Sequence, residues 1–167
     1  NPRGSREAII ARGDLRFDSF ASVAYAKKRG LPILLVKPNE VPLVTTSALN
    51  QLGTNKVTVI GGSEAVNPGL NLPPESRIGG DDRYETAVKI AEELIKLGGV
   101  DTLVITDGEN PNPISVMIAA YYGAPIVYSR GGDVPSSTMD LIKKNRFKRI
   151  VFIGVSGDAM SKIKSIV

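Results

Sequence analysis

The sequence predicts an α/β protein made of two tandem parallel-sheet layers that are related by internal pseudo-symmetry. Two observations support this prediction: the second half of the chain repeats the landmarks of the first, and each half alternates short apolar runs with helical patterns. Short runs of branched apolar residues favour strands that are covered on both faces, as in a parallel sheet. Their alternation with helices favours layers joined by right-handed crossovers.

The duplication is visible in residues that recur in one order and at nearly one spacing. Gly13 has its counterpart 95 positions later at Gly108. The later landmarks have counterparts 93 positions later: Pro32 with Pro125, Pro42 with Pro135 and Gly61 with Gly154. Longer stretches repeat as well, since KVTVIGGSEAV at 56–66 matches RIVFIGVSGDA at 149–159. This arrangement indicates a tandem duplication.

Each half is predicted to contain three strands with helices between them. The predicted strands are Ala8–Ala11, Ile33–Val36, Val57–Ile60, Leu103–Thr106, Ile126–Tyr128 and Ile150–Ile153. Apolar stripes at helical spacing follow the first strand of each half: Phe20, Val23 and Ala24, then Ile114, Met117, Ile118 and Tyr121. Leu141 and Ile142 mark a further helix, for which Pro135-Ser136-Ser137 is a natural start.

One more helix is predicted between the two halves. Asp82 and Glu85 form a capping box, and apolar residues then recur at helical spacing until Gly98-Gly99 ends the run. The preceding segment, Asn67–Ser76, contains three prolines and is predicted to be a linker. We therefore predict a partial first repeat at residues 1–75 and a complete second repeat at residues 76–167.

Composition excludes several classes of function. The chain has 167 residues, 21 basic and 17 acidic side chains, and neither His nor Cys. The missing imidazoles and thiols exclude a Ser–His triad and thiolate or imidazole metal sites, so neither a metal nor a cofactor is predicted. No apolar run approaches the roughly 20 residues that a membrane-spanning helix needs. Asn1–Ser5 is too short and polar for a signal peptide, so we expect any export signal to lie upstream.

The segment Arg77–Ala87, which reads RIGGDDRYETA, resembles the opening signature of the cell-wall-binding repeat 2 (CWB2) family. That signature runs Arg-x-x-Gly-x-Asp-Arg-Tyr-x-Thr-Ala ahead of an amphipathic helix. The segments Ile9–Asp14, Pro32–Leu35 and Val59–Gly62 also match the family, so the resemblance spans nearly the whole chain. It implies Rossmann-like or Toprim-like layers and a noncatalytic role in attaching surface proteins to anionic wall polymers.

Four cations are candidates for contacting a ligand. Arg77 and Arg83 belong to the signature, and Arg83 is a planar donor at a helix N-terminus that favours anions. Lys37 and Arg130 follow the central strands, whose carboxyl ends bind ligands in open parallel sheets. The alternative for the two signature arginines is structural: they tie the linker to a neighbouring layer, with Tyr84 in the core.

A basic patch is specific to the second half, and it consists of Lys143, Lys144, Arg146, Lys148 and Arg149. It is interpreted as a landing surface for an acidic polymer, or as basic residues that complement a helix C-terminus. Phe147 is the one aromatic residue within the run. Base stacking needs more aromatic side chains, so nucleic acid is disfavoured as a partner.

Two further patterns allow a specific and a structural interpretation. The acidic residues after the first strands, Asp14 and Asp18 or Asp107 and Glu109, have the chemistry to hold a divalent cation or sugar hydroxyls, and otherwise are solvated loop tips. The Gly61-Gly62 turn follows a strand, as phosphate-binding loops do. Residues 63–68 show no convincing helix pattern, which favours a tight turn that requires glycine.

Together these features predict a noncatalytic module at the cell surface. We expect it to hold its parent protein to an envelope glycan, to an anionic surface polymer, or to neighbouring subunits through its repeats, without inserting into a membrane. The alternative is a small-molecule or nucleotide-binding α/β domain, an enzyme whose site lies at the strand carboxyl ends.

Overall fold

A computed structural model describes residues 4–167; the first three residues of the polar N-terminal segment considered above lie outside the described residues. The chain forms seven strands, β1 to β7, at Glu7–Arg12, Ile33–Val36, Lys56–Ile60, Glu75–Ile78, Thr102–Asp107, Ile126–Ser129 and Arg149–Ile153 within that part. It also forms helices α1 to α6 at Phe17–Arg29, Leu43–Leu52, Arg83–Lys96, Ile114–Tyr122, Ser136–Lys144 and Gly157–Lys164. All six predicted strands are present.

The strands form two parallel sheets, which confirms the predicted fold class. The first sheet has the order β2-β1-β3-β4 and the second has the order β6-β5-β7. Each sheet therefore places the first strand of its half at the centre, with the second and third strands on either side. The tight turn after the second strand also recurs, as Lys37 pairs with Glu40 and Arg130 pairs with Asp133.

The segment between the halves joins the two layers. Strand β4 lies at the end of the predicted linker and pairs in parallel with β3, from Val57 opposite Glu75 to Ile60 opposite Ile78. Helix α3 then packs against α1 of the first half and against β6 and α5 of the second. The stretch predicted as a linker thus ends in a strand, because β3 offers an edge with which it can pair. The division at residues 1–75 and 76–167 stays a prediction.

Three elements have no counterpart among the predicted ones: β4, α2 and α6. Helix α2 follows Pro42, at the position that corresponds to the predicted helix after Pro135. Helix α6 begins after Ser156, whose side-chain oxygen accepts a hydrogen bond from the Ala159 N–H. Both helices are short, so their periodic signal is weak, and for α6 the cap at Ser156 is the more useful pattern.

The largest hydrophobic cluster spans both layers. Ile9 and Tyr25 from the first half lie in one cluster with Ile90 of α3 and with Ile126 and Tyr128 from the second half. The two layers therefore share a core rather than touching through surface groups. Within residues 4–167, none of the helices combines the length and the apolar composition required to cross a bilayer.

Candidate functional site

An open cleft of about 610 Å³ lies at the carboxyl ends of β1, β3 and β4. Its walls come from the β1–α1 connection, the turn after β3, and the start of α3. The lining side chains include three arginines (Arg12, Arg77 and Arg83), four acids (Asp18, Glu64, Asp81 and Asp82) and the apolar residues Leu15 and Phe17. The cleft thus mixes charged groups of both signs with an apolar flank, and it sits at the strand ends where parallel sheets bind ligands.

Asp18 is a partly buried acid of the cleft with a raised pKa. It lies in the first turn of α1, and burial raises the pKa of its carboxyl to about 6, although the charges of Arg12 and Arg83 oppose that rise. A Cβ placed on Gly61 would lie 2.6 Å from the Asp18 Oδ2. Gly61 has a φ of 106°, so this turn requires glycine both for its backbone conformation and for the room that Asp18 occupies.

Arg83 bridges the two layers at the cleft wall. Its Nη1 donates a hydrogen bond of 2.9 Å to the carbonyl oxygen of Gly108, at the end of β5. Its guanidinium carbon also lies 3.7 Å from the centroid of the Phe17 ring. Cation–π contacts and hydrogen bonds from a charged donor are each worth about 1–3 kcal/mol where water is largely excluded. Arg83 therefore contributes to the joint between the layers as well as to the cleft.

Tyr128 supports the same joint from the second layer. Its side chain is fully buried and its hydroxyl donates a 2.6 Å hydrogen bond to the carbonyl oxygen of Phe17. The two rings meet edge to face with centroids 6.3 Å apart. Burial raises the pKa of Tyr128, as does the neighbouring carboxyl of Asp18, so the hydroxyl stays protonated and keeps donating.

Arg77 holds the turn that follows β3. Its Nη1 donates to three carbonyl oxygens, those of Gly61, Gly62 and Val66, at 2.9 to 3.2 Å. Its Nη2 forms an ion pair of 3.0 Å with Glu75. Most donors of this guanidinium are therefore committed to carbonyl oxygens of the first half, which is a structural arrangement within one layer rather than the predicted tie to a neighbouring layer. A role for Arg77 in ligand binding stays a prediction.

Arg12 is a cleft cation that the sequence analysis did not single out. It ends β1 and forms two hydrogen bonds with the carboxylate of Asp14, from Nε at 2.5 Å and from Nη2 at 2.8 Å. The hydrogen bond from Arg12 lowers the pKa of Asp14. Its position in the sequence could have identified it, because Arg12 ends an apolar strand and the carboxyl ends of parallel strands form the edge where ligands bind.

The start of α3 uses the predicted capping residues. The Asp82 carboxylate accepts a 2.8 Å hydrogen bond from the Glu85 N–H, and Glu85 in turn accepts one of 2.7 Å from the Asp81 N–H. In a standard capping box Glu85 would accept from the N–H of the cap residue Asp82, whereas here it accepts from the N–H of Asp81, one residue earlier. Tyr84 is buried, and the Thr86 hydroxyl accepts a hydrogen bond from the Gly80 N–H. The signature thus builds the helix start and one cleft wall.

Lys37 and Arg130 do not line this cleft. Lys37 is exposed and forms a 2.8 Å ion pair with Glu40, which raises the pKa of the lysine. Arg130 lies 4.4 Å from the centroid of the Tyr84 ring and 3.3 Å from the Asp82 carboxylate. The structure therefore brings Arg77 and Arg83 together and leaves the other two candidates on separate turns. Their role in ligand binding remains a prediction.

The five cations of the basic patch are all exposed and lie at the amino end of β7 in the second sheet, whereas the cleft lies at the carboxyl ends of strands of the first sheet. They cover the end of α5 and the point where the chain enters β7. Lys148 approaches Asp101 at 3.8 Å, and Arg149 lies 4.8 Å from the centroid of the Tyr122 ring. Within residues 4–167, the remaining three have no ion-pair partner: Lys143, Lys144 and Arg146. Lys143 and Lys144 also occupy the last turn of α5, where basic residues complement the helix dipole.

The acidic loop residues do not converge. Asp14 is paired with Arg12, whereas Asp107 accepts hydrogen bonds from the backbone N–H groups of Glu109 and Gly131. The described residues contain no group of three or more acidic side chains arranged to hold a metal ion. The segment after Gly61-Gly62 forms a turn without a helix, so this loop lacks the helix N-terminus of a phosphate-binding loop.

A sequence profile of the family described as cell wall binding domain 2 (CWB2) matches residues 3–71 and 77–164 of the chain. The chain belongs to the CWB2 family. The two matched segments correspond to the two halves seen in the duplicated sequence landmarks and in the two sheets.

Several known proteins are similar to this CWB2 chain. N-acetylmuramoyl-L-alanine amidase LytC of Bacillus subtilis is 25% identical over 164 residues, which is 93% of this chain and 32% of the amidase. Uncharacterized proteins of Pyrococcus abyssi and Pyrococcus horikoshii are each 30% identical over 160 residues. The aligned region is 89% of this chain in both cases, and it is 47% of the first protein and 48% of the second. The chain thus spans about a third to a half of the length of these relatives.

Two solved structures share its fold. Cwp6 from Clostridium difficile superimposes with a TM-score of 0.86 at 25% identity, over 98% of this chain and 28% of that protein. Cwp8 from Clostridium difficile gives a TM-score of 0.77 at 23% identity and supports the fold alone. In both cases the similar region is a minor part of a longer protein.

Proposed function

We propose that this chain is a noncatalytic binding module that holds its parent protein at the cell surface by binding an envelope glycan or anionic surface polymer. One observation carries most of the proposal: a family of cell-wall-binding domains matches both halves of the chain. Its signature segment also forms one wall of the cleft. When a module binds through two related units, the first contact raises the effective concentration for the second, so tight binding does not require a deep pocket.

The composition of the cleft suits a sugar. A sugar ring offers hydroxyl groups that donate and accept hydrogen bonds, and C–H faces that pack on apolar side chains. Among residues 4–167, burial and the charges of Arg12 and Arg83 act on the Asp18 carboxyl without a hydrogen bond to it, and its oxygens have the chemistry to accept from hydroxyl groups. Arg83 uses Nη1 for Gly108 and retains other N–H donors, and Leu15 is 41% exposed at the rim. We assign the ligand to this cleft, and Arg83 and Arg77 to it as candidate contacts.

The chemistry of the chain supports holding rather than turnover. It contains no His and no Cys, so acid–base work would depend on carboxylates, Lys or Tyr. Asp82 caps α3 and pairs with Arg130, and Arg77 is bonded to backbone carbonyls, so neither is poised for a reaction.

The basic patch supplies the attraction to an anionic polymer in this proposal. Lys143, Lys144 and Arg146 are exposed cations close together in the chain, and such clusters raise the association rate with polyanions in a salt-dependent way. The cleft itself carries nearly balanced charge. We therefore expect salt to weaken retention on a polymer while leaving contacts inside the cleft less affected.

The test measures retention of the chain on isolated cell walls of Bacillus subtilis and on polygalacturonate beads, from low to high salt. We expect retention at low salt, reduced by Arg12→Gln in the cleft and by the triple change of Lys143, Lys144 and Arg146 to Gln. The matched control changes three scattered exposed lysines, Lys28, Lys56 and Lys164, to Gln and keeps the same net charge change. No retention at low salt on either matrix refutes the proposal.

The cleft also supports a second candidate, a small-molecule site at the strand ends. Its volume of about 610 Å³ is within the range of about 300–1,000 Å³ that ligand pockets occupy. A carboxyl with a pKa of about 6 is able to act as a general acid or base near neutral pH. Hydrolysis of a panel of nitrophenyl glycosides and phosphates tests this candidate. Turnover that is lost in Asp18→Asn but retained in Asp14→Asn supports it.

A further inference from the structure

Two exposed tyrosines end helix α4 beside a cation of the basic patch. Tyr121 is 79% exposed and Tyr122 is 42% exposed. Their rings are perpendicular, at 89°, with centroids 4.9 Å apart. The guanidinium carbon of Arg149 lies 4.8 Å from the centroid of the Tyr122 ring. These three side chains, the aromatic strip, therefore run without a break from an exposed ring to a cation.

The aromatic strip is specific to the second half. Helices α1 and α4 correspond, and each ends at a left-handed glycine. Counting back from those glycines, Lys28 and Arg29 of α1 occupy the positions of Tyr121 and Tyr122. Both remain exposed although α3 packs along α1. The last turn of this helix therefore keeps its outward side chains accessible even where a neighbouring helix covers the turns before it.

The surroundings of the aromatic strip are basic. The Nζ of Lys27 donates a 2.6 Å hydrogen bond to the carbonyl oxygen of Ala120, in the last turn of α4. Lys148 is exposed next to Arg149 in the chain and approaches Asp101 at 3.8 Å. Arg149 takes part in none of the ion pairs formed among residues 4–167. The charge of this arginine is therefore available to an anion from outside the chain.

The guanidinium of Arg149 is held in a geometry that suits an anionic group. A guanidinium that lies over an aromatic face keeps the N–H donors at its planar edge available. Two of these donors match two oxygens of a carboxylate or phosphate. Because the contact with Tyr122 restricts the arginine before a ligand arrives, less side-chain entropy is lost on binding.

The two rings suit a sugar better than a nucleic-acid base. A sugar ring has a C–H face that packs on an aromatic ring, and hydroxyl groups at its edge that bond to tyrosine hydroxyls. Successive bases of a strand stack on aromatic platforms that face the same way, whereas Tyr121 and Tyr122 are perpendicular. Phe147 adds no platform, because it is half-buried and packs against a buried cluster of the second half.

We propose that the aromatic strip is a second glycan-binding site, separate from the cleft, which binds a sugar ring carrying an anionic group. The C–H face of the sugar packs on Tyr121, its carboxylate or phosphate binds Arg149, and Tyr122 orients the arginine. The inference rests on the proposed function for the class of ligand, an anionic glycan. The strip lies at the amino end of the second sheet and the cleft at the carboxyl ends of the first, so the two sites are tested separately.

The test titrates tetragalacturonate into the ¹⁵N-labelled chain and takes a dissociation constant from the amide shifts of Gly123 and Lys148, which adjoin the strip. Tyr121→Ala is expected to weaken this binding by about fivefold or more, because the packing surface for the sugar is lost. Tyr121→Phe is expected to retain it. Since Tyr121 is exposed, both variants should keep the melting temperature of the original chain. Equal affinity in Tyr121→Ala and the original chain, or no shifts at millimolar ligand, overturns the proposal.

A second variant tests the anionic group of the ligand. Arg149→Gln is expected to weaken the binding of tetragalacturonate by about tenfold, because a hydrogen-bonded charge pair is lost. Lys56→Gln is the matched control, since Lys56 is an exposed cation at the corresponding start of β3 and the variant loses the same charge. An equal loss in both variants means that net charge alone attracts the ligand, which overturns the proposal.

Other ligands identify the chemistry that the strip recognises. Phosphomannan carries phosphate as its anion, and shifts with it that depend on Tyr121 support the proposal for phosphorylated sugars, as those with tetragalacturonate do for uronic acids. Maltotetraose has rings without charge, and polyphosphate has charge without rings, so both should bind more weakly. Tighter binding of polyphosphate or of oligothymidylate at the strip overturns the proposal.

The same spectra separate this proposal from the cleft. Gly62 and Gly79 line the cleft, so their amide shifts report on binding there. Shifts at these two glycines without shifts at Gly123 and Lys148 overturn the second site and leave the proposed function standing. Shifts at Gly123 and Lys148 alone support the second site and contradict the assignment of the ligand to the cleft.

Discussion

Asp18 gives a prediction in which the sign and the size both follow from the cleft. Its pKa of about 6 lies above the ordinary value of 3.8, because burial disfavours the charged carboxylate. Between these two values the folded protein binds more protons than the unfolded chain, so stability falls as pH rises through that window. Asp18→Asn removes the charge, and we expect the variant to be more stable than the original protein at pH 7.5 and equal to it near pH 4.

The magnitude follows from the shift. A difference of about two pKa units at about 1.4 kcal/mol each sets a ceiling of about 3 kcal/mol on the stabilisation. Asp18 faces an open cleft in which water screens its charge, so we expect about 1–2 kcal/mol. For a chain of this length, that corresponds to a rise in melting temperature of about 2–8 °C.

The assay is urea denaturation of both proteins at pH 4, 6 and 7.5. Asp14→Asn is the matched control, because the hydrogen bond from Arg12 lowers the pKa of Asp14 and its contribution has the opposite sign. Relative to the original protein, the Asp14→Asn variant is therefore expected to gain no free energy of unfolding as pH rises. A difference between Asp18→Asn and the original protein that is the same at all three pH values refutes the reasoning.

Three substitutions test the joint between the layers. Arg83→Ala removes the hydrogen bond to Gly108 and the contact with Phe17, and urea denaturation should show a loss of about 2–4 kcal/mol; an unchanged midpoint contradicts a structural role. Tyr128→Phe leaves the Phe17 carbonyl without its donor and should cost about 1–2 kcal/mol by the same measurement, and no loss means that water replaces the hydroxyl. Gly79→Ala places a Cβ 2.5 Å from the Gly61 carbonyl oxygen, so the melting temperature of the variant should fall. A melting temperature equal to that of the original protein would show that β3 and β4 separate easily.

The duplicated pattern predicted the sheets because it constrains long-range structure. Once Gly61 and Gly154 are recognised as equivalent, the strand that precedes one of them predicts the strand that precedes the other. The signature also predicted the start of α3, since Asp82 and Glu85 satisfy backbone donors within their own helix turn. Such local and repeated patterns are read directly from the chain.

The cleft was harder to predict because its walls come from distant segments. Arg12 and Asp18 meet the residues around Arg77 only after β4 has joined the first sheet, and a four-residue strand after three prolines carries little periodic signal. The positions of Lys37 and Arg130 relative to the cleft depend on the same pairing. Sequence therefore identified the ends of the central strands as a binding edge without identifying which edge opens into a cleft.

The most direct measurement of the central claim is an amide chemical-shift titration of the ¹⁵N-labelled chain with soluble fragments released from Bacillus subtilis cell walls. The account predicts saturable shifts at Gly62, Gly79 and Asp81, which line the cleft, and weaker salt-sensitive shifts in the basic patch. Shifts confined to the basic patch, or no shifts at low salt, would contradict the claim that this module holds its ligand in the cleft.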